Sequence, residues 1–225
     1  MRIGRAGLVL LAALLLAAAI YAAGARGLAD AHYFAARSIL VGATQAGRLP
    51  GPAELTVAAT ALRESLALEP SNPLFVEQLG RVQEMRARQL PPGDTAAREA
   101  LRLALAQYRS AALMRPGSPY VWTGIAALKL QLDETDFEFY GALERAERFG
   151  RWEPAVQLAL ADIGFTDWRL LAQPAKVLVL GAIERAWPRE SVEIRRMAAA
   201  HGDLEPVCAE AVSLLRRASL LCVKK

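Results

Sequence analysis

Between Ala6 and Ala25 the sequence runs for twenty residues without a charged side chain, with Arg2 and Arg5 just before the run and Arg26 just after it. Twenty residues of α-helix rise about 30 Å, the thickness of a bilayer's hydrocarbon core. The segment predicts a transmembrane anchor over residues 1–26, with residues 27–225 forming the domain it holds. Two arginines on the short N-terminal side keep Met1 in the cytoplasm by the positive-inside rule and send the remainder across the membrane. The competing reading is a cleaved signal peptide, because Ala23-Gly24-Ala25 fits a small-x-small cleavage site behind a suitable apolar stretch. No lipobox-like cysteine follows, so lipid anchoring is not indicated.

Setting the leader aside also changes the charge balance. Of 27 basic residues, three are Arg2, Arg5 and Arg26, so the domain keeps 24 against 23 acidic ones. A nucleic-acid binder is expected to carry a basic stripe on its folded part, and only short pairs such as Arg195-Arg196 and Arg216-Arg217 occur. Nucleic acid is therefore not an expected partner. The remaining length suits one domain of ordinary size.

Beyond the leader, apolar residues recur at intervals of three and four, and alternating β-branched runs are almost absent, which predicts an all-α fold. The helix breakers divide it. An amphipathic helix from Ala29 to about Gln45 continues the leader, and Gly47 to Gly51, with Pro50 and Pro52, ends it. Helices follow over about 53–68, 74–89 and 95–114, the last capped by Asp94 or Thr95. Asp133 or Thr135 is expected to cap a helix to about Phe149, and Pro154 to open the first turn of a buried one. Shorter helices are expected around Trp168, from Pro174 to Trp187 and from Pro188 to Ala200, with a closing helix carrying Leu214, Leu215, Leu220 and Leu221.

The helix, turn, helix alternation contains a modest internal repeat. Ala104, Tyr108, Ala111 and Pro116, followed by Trp122, Ile125 and Ala126, hold the spacings of a tetratricopeptide (TPR) unit. Ala58, Leu62, Ser65 and Pro70, followed by Val76, Leu79 and Gly80, match more weakly. Small residues let paired helices approach while a large one fills the gap beside them, and proline forces the next turn. Pro70 to Pro116 spans 46 residues rather than about 34, so an insertion is expected around Leu90–Asp94. The fold class expected is a TPR-like helical-repeat domain behind one transmembrane helix, with an irregular helical bundle as the alternative.

Catalytic handles are scarce. His32 and His201 have no second histidine or cysteine at ligand spacing, and no phosphate loop or nucleophile elbow is present. No catalytic, cofactor or metal residue is expected. The acidic cluster Asp133, Glu134, Asp136, Glu138 is read as helix capping rather than a calcium site. Cys208 and Cys222 would lie about 21 Å apart in one helix, beyond the roughly 7 Å a disulfide tolerates, so they are read as small buried side chains unless the chain turns back between them. Trp122 is assigned to the core by the repeat. Trp152, Trp168 and Trp187 sit at helix starts or ends; core packing is the first reading for them, and they are the candidate surface aromatics for partner or glycan contact if any are exposed.

One stretch is more specific than a generic helical repeat. Ala142-Leu143-Glu144-Arg145-Ala146, Gly150-Arg151-Trp152-Glu153-Pro154-Ala155-Val156-Gln157, Ala161-Asp162-Ile163-Gly164 and Trp168 resemble the small TPR-like proteins of the VpsP family, which are encoded with bacterial exopolysaccharide systems. The family's layout, an N-terminal hydrophobic segment followed by a helical domain, is similar over nearly the whole chain. The resemblance implies a non-catalytic, membrane-anchored accessory protein or scaffold in making or exporting a surface polysaccharide. It would sit in the inner membrane with its domain in the periplasm, and its partners would be membrane proteins of the assembly or export system. Two alternatives stand beside it: a cleaved periplasmic adaptor unrelated to polysaccharide, and a glycan-acting enzyme using Glu153 with Asp162 or Asp167 beside Trp152 or Trp168.

Overall fold

The computed structural model describes residues 4–91, 93–202, 205, 207–209 and 222, and among them every regular element is helical. The helices are α1 (Arg5–Gln45), α2 (Pro52–Leu68), α3 (Pro73–Ala87), α4 (Thr95–Met114), α5 (Pro119–Gln131), α6 (Phe137–Gly150), α7 (Pro154–Thr166) and α8 (Gln173–His201), with a short 3-10 turn at Trp168–Leu170. Leu214, Leu215, Leu220 and Leu221 lie outside the described residues.

Local chemistry sets the boundaries. Proline occupies the first turn of α2, α3, α5, α7 and α8, where its missing N–H and fixed φ cost nothing. Asn72 caps α3 by accepting from the Leu74 N–H, and Asp94 caps α4 by accepting from Ala96. The α6 cap is Asp136, which accepts from the N–H groups of Glu138 and Phe139, and not Asp133 or Thr135 as the sequence predicts. Asp133 instead takes the left-handed conformation, φ 62°, in the turn leaving α5, and pairs with Arg98 at 3.2 Å.

The domain is a series of hairpins. The most extensive packing is α1 on α2, α3 on α4, α5 on α6 and α7 on α8, with each hairpin also touching the next. Cross-links show each pair to be antiparallel: Ser65 with Ala29, Gly80 against Tyr108, Trp122 with Arg145, and Gln157 with Arg185. One core region joins Ala36 and Leu40 of α1 to Leu55, Ala58 and Leu62 of α2 and Leu79 and Val82 of α3. A larger one runs from α4 to α8 around Phe139, Leu143, Leu160 and Val179. Fully buried side chains such as Phe75 and Phe139 each contribute about 2 kcal/mol of transfer free energy.

Two elements depart from simple hairpins. α1 is continuous over 41 residues, about 60 Å at 1.5 Å per residue. Its first half, from Leu8 to Tyr21, exposes every large apolar side chain, and its second half is the part that packs on α2. Among the described residues it is the one helix long and apolar enough to cross a membrane. α8 bends at Glu190 (φ −118°, ψ 21°), two residues past Pro188. Proline there has no N–H for the Glu184 carbonyl and its ring displaces that turn. The returning arm lays the Arg195 guanidinium 5.2 Å from the centre of the Trp187 ring and brings His201 Nε2 within 2.9 Å of Asp162 Oδ1.

Candidate interaction groove

The first helices of three successive hairpins, α3, α5 and α7, line an open groove of about 850 Å³. On α3 the lining residues Glu77, Arg81, Glu84 and Arg88 recur at intervals of four and three, which puts them in one stripe of alternating charge. Tyr120 and Thr123 of α5 form the middle, and Ala155, Val156 and Ala159 of α7 give an aliphatic wall. Tyr108 of α4 reaches between α3 and α5 to close the base. Its ring fits because Gly80 and Gly124 flank it. A Cβ on Gly124 would lie 2.7 Å from Tyr108 Cε1, and one on Gly80 would lie 3.0 Å from the ring.

The electrostatics of this stripe follow from burial. Glu84 accepts a hydrogen bond from Arg88 at 2.8 Å and from the Tyr108 hydroxyl at 3.4 Å. Burial, with the neighbouring Glu84 and Glu77 carboxylates, pushes the Tyr108 hydroxyl well above its ordinary range. Burial also raises Glu77, opposed by Arg115 and Arg81. The Tyr120 hydroxyl donates to Glu153 Oε2 at 2.7 Å, which raises its pKa and ties α5 to the start of α7. The result is a polar ladder facing an aliphatic wall.

A second polar centre lies on α5. The Lys129 side chain is 2% exposed, and its Nζ meets Glu134 at 3.1 Å, Asp136 at 2.9 Å and Glu138 at 3.1 Å. Burial works against the ammonium charge, but the hydrogen bonds it donates to Asp136, Glu138 and Glu134 outweigh it and hold its pKa above the ordinary value. Glu138 is also held by Arg109, Nε to Oε1 at 2.8 Å. The acidic cluster thus both caps α6 and surrounds a buried lysine that sequence reasoning did not connect to it. The signal available was five residues of spacing between Lys129 and Glu134, too loose to identify a partner.

The tryptophans separate sharply. Trp152 is 80% exposed, at the turn between α6 and α7. Trp168 and Trp187 are only 4% and 8% exposed, which agrees with the core reading and removes them as candidate surface aromatics. Trp168 turns inward in the 3-10 segment with Lys176 Nζ 5.2 Å from its ring centre, and Trp187 is covered when the Pro188 bend folds the second arm of α8 back. Trp122 packs on the core, partly buried, with Nε1 donating to the Pro116 carbonyl at 2.7 Å and Arg145 over its ring.

The carboxylate pairing offered for glycan hydrolysis does not form. Glu153 and Asp162 sit at the start and within α7, nine residues or about 13 Å apart along the axis, and Asp167 lies farther still. Glycosidase carboxylates need about 5–10 Å. Asp162 is paired with His201 and Glu153 with Tyr120. Among the described residues no group of three or more histidine, cysteine or acidic side chains is placed to hold a metal. Cys208 and Cys222 are joined in a disulfide with Cα atoms 5.7 Å apart, so the reading of two unpaired side chains on one continuous helix is also corrected. Set against known protein families and curated proteins, the chain matches none of either.

Proposed function

We propose that this chain is a non-catalytic scaffold, tethered to the inner membrane by the first half of α1, that holds a segment of a membrane partner in the groove of its TPR-like hairpins. The observation that carries the reading is the groove itself: three successive first helices present one continuous surface, with the charged stripe of α3 opposite the aliphatic wall of α7. The TPR-like description is supported by Gly80 of α3 lying close against both the Tyr108 ring and the Ala104 carbonyl of α4, a small residue meeting a large one where paired helices cross. The resemblance of residues 142–168 to the VpsP family gives the partner its context, a polysaccharide assembly or export system facing the periplasm. Tethering raises the effective concentration of the groove around a partner in the same membrane without adding any contact.

The test is a pull-down from detergent-solubilised native membranes through a C-terminal tag, comparing the wild type with an Arg81→Glu/Arg88→Glu variant. Recovery of the full-length chain with polymerase, ligase or export proteins, lost in the variant, is the expected result. Recovery of a chain shorter by about 25 residues, a typical signal-peptide length, from the soluble fraction without those proteins would overturn the tethered reading in favour of a free periplasmic adaptor.

A further inference from the structure

The direction of α1 fixes which edge of the domain faces the bilayer. The apolar run ends at Ala25, and the domain begins within the next turn: Arg26 pairs with Glu69 at 3.3 Å and Ala29 is fully buried. Because helix pairs are antiparallel, the turn after α2 lies at this end of α1, and so do the turn after α4, the turn after α6 and the bend of α8. The Gln157 to Arg185 hydrogen bond and the pocket shared by residues 151–157 and 185–190 place the last two of these together.

The two edges differ in the balance of charge. The bilayer-facing edge exposes Leu113, Met114, Phe149 and Trp152, with Arg115, Arg148, Arg151 and Arg189 beside them against Glu69, Glu153 and Glu190. The opposite edge also exposes large apolar side chains, Leu49, Leu90, Phe137 and Leu170, but its turns carry Asp94, Asp133, Glu134, Asp136 and Asp167 against Arg48, Arg88 and Arg169. Tryptophan and arginine at this height match the layer where an indole lies among headgroups and a guanidinium meets phosphate. Arg151, Trp152, Arg185 and Arg189 also line a small pocket, together with Glu190, and Arg151 Nε lies 3.9 Å from Glu147 Oε1. Arg185 is committed to Gln157 at 3.1 Å and to Glu147 at 3.1 Å, so it forms the rear wall.

We infer that this edge is a second membrane contact, in which Trp152 enters the headgroup layer and the Arg151 and Arg189 guanidiniums seat the phosphate of an anionic phospholipid. The inference rests on α1 spanning the membrane. It would hold the domain in one orientation on the bilayer, with the groove running up from the surface instead of swinging freely on the tether.

The experiment uses the full chain in proteoliposomes of phosphatidylcholine, with or without phosphatidylglycerol. A phosphatidylcholine spin-labelled on its headgroup serves as a shallow quencher of tryptophan emission. Of the four tryptophans, Trp152 is the one largely presented to solvent, so Trp152→Phe is expected to lose most of the quenching. Phe137→Trp on the opposite edge, in that same background, is expected not to restore it. Phosphatidylglycerol is expected to increase the quenching of the wild type but not of Arg151→Glu/Arg189→Glu. Equal quenching of wild type and Trp152→Phe overturns the contact, and equal quenching with and without phosphatidylglycerol overturns the phosphate seat. A Tyr21→Trp variant with acyl-chain-brominated lipid reads α1 separately. If the indole introduced in α1 escapes quenching, the membrane-spanning reading falls and this inference falls with it. Quenching of that indole beside an unquenched Trp152 defeats only the inference.

Discussion

Ser65 Oγ on α2 lies 2.9 Å from the carbonyl oxygen of Ala29 on α1, with both residues fully buried, at the level where α1 leaves its exposed apolar half and enters the domain. The hydroxyl has one proton and two carbonyls in reach, Ala29 and, at 3.1 Å, Ala61 of its own helix. Ser65→Ala therefore removes a modest bond and is expected to cost about 1 kcal/mol, or about 2–4 °C in Tm for a domain of this size. Ala29→Leu forces a larger side chain into the same contact and is expected to cost about 1–3 kcal/mol. Circular dichroism melts of the detergent-solubilised chain distinguish them. Equal Tm for both variants would mean that α1 is not packed on α2 at this point.

A tighter helix contact gives a sharper test. A Cβ on Gly164 of α7 would lie 2.3 Å from Cγ1 of Val179 on α8, and Val179 is fully buried. Gly164→Ala gains helix propensity, about 1 kcal/mol, but must push the two helices apart, and overpacking of this kind costs about 1–3 kcal/mol. A net loss is expected. Val179→Ala alone leaves a void and is also destabilising. Val179→Ala removes the methyl that the new Cβ would strike, and that Cβ fills part of the space left, so the double variant is expected to be more stable than the sum of the single losses allows. Additive losses in denaturant melts would show that Gly164 does not set the spacing.

The boundaries of these helices were legible because prolines and caps act locally. Pro154 and Pro188 mark their positions whatever surrounds them, and Pro188 duly bends α8 where the sequence predicts a break. Facing was less legible. Trp152, Trp168 and Trp187 all sit near helix ends, where periodicity gives no face, and only the fold-back of α8 decides that Trp187 is covered while Trp152 is not. The groove was invisible for a related reason: Glu77 and Tyr120 belong to different hairpins, and their proximity depends on how hairpins stack. Lys129 lies in the apolar run Ala127-Leu128-Lys129-Leu130, and its burial could not be told from a solvated position until α6 was seen to fold back over it.

That lysine makes a prediction about pH. The hydrogen bond from Lys129 is the largest influence depressing Asp136, and Arg109, ahead of Lys129, depresses Glu138. A carboxylate with a depressed folded-state pKa contributes stability that is complete above its unfolded pKa, about 4, and is lost as the pH falls through the folded value. Lys129, with a raised pKa, contributes stability that is complete below its unfolded value of about 10.4 and is lost as the pH rises through the folded one. The wild type is expected to lose stability on both limbs. Lys129→Met is expected to be less stable at neutral pH and to show a shallower decline below about pH 4. Chemical denaturation across pH measures this, and an unchanged acid limb in Lys129→Met would remove the lysine from the account.

The Cys208–Cys222 bond reports on compartment as well as stability. It closes a loop of about 15 residues, for which chain-entropy arguments give roughly 3 kcal/mol, and a bond of this kind persists in an oxidising space and not in a reducing cytosol. In intact cells, maleimide-polyethylene-glycol labelling after denaturation is expected to leave the chain unmodified unless reductant is added first, when both thiols react and mobility shifts. Cys208→Ser/Cys222→Ser is expected to melt lower than the oxidised wild type by an amount that reduction of the wild type reproduces. Labelling without reductant would place the domain on the cytoplasmic side and overturn the orientation expected from Arg2 and Arg5, because an unpaired Cys208 does not fit export of residues 27–225 to an oxidising space.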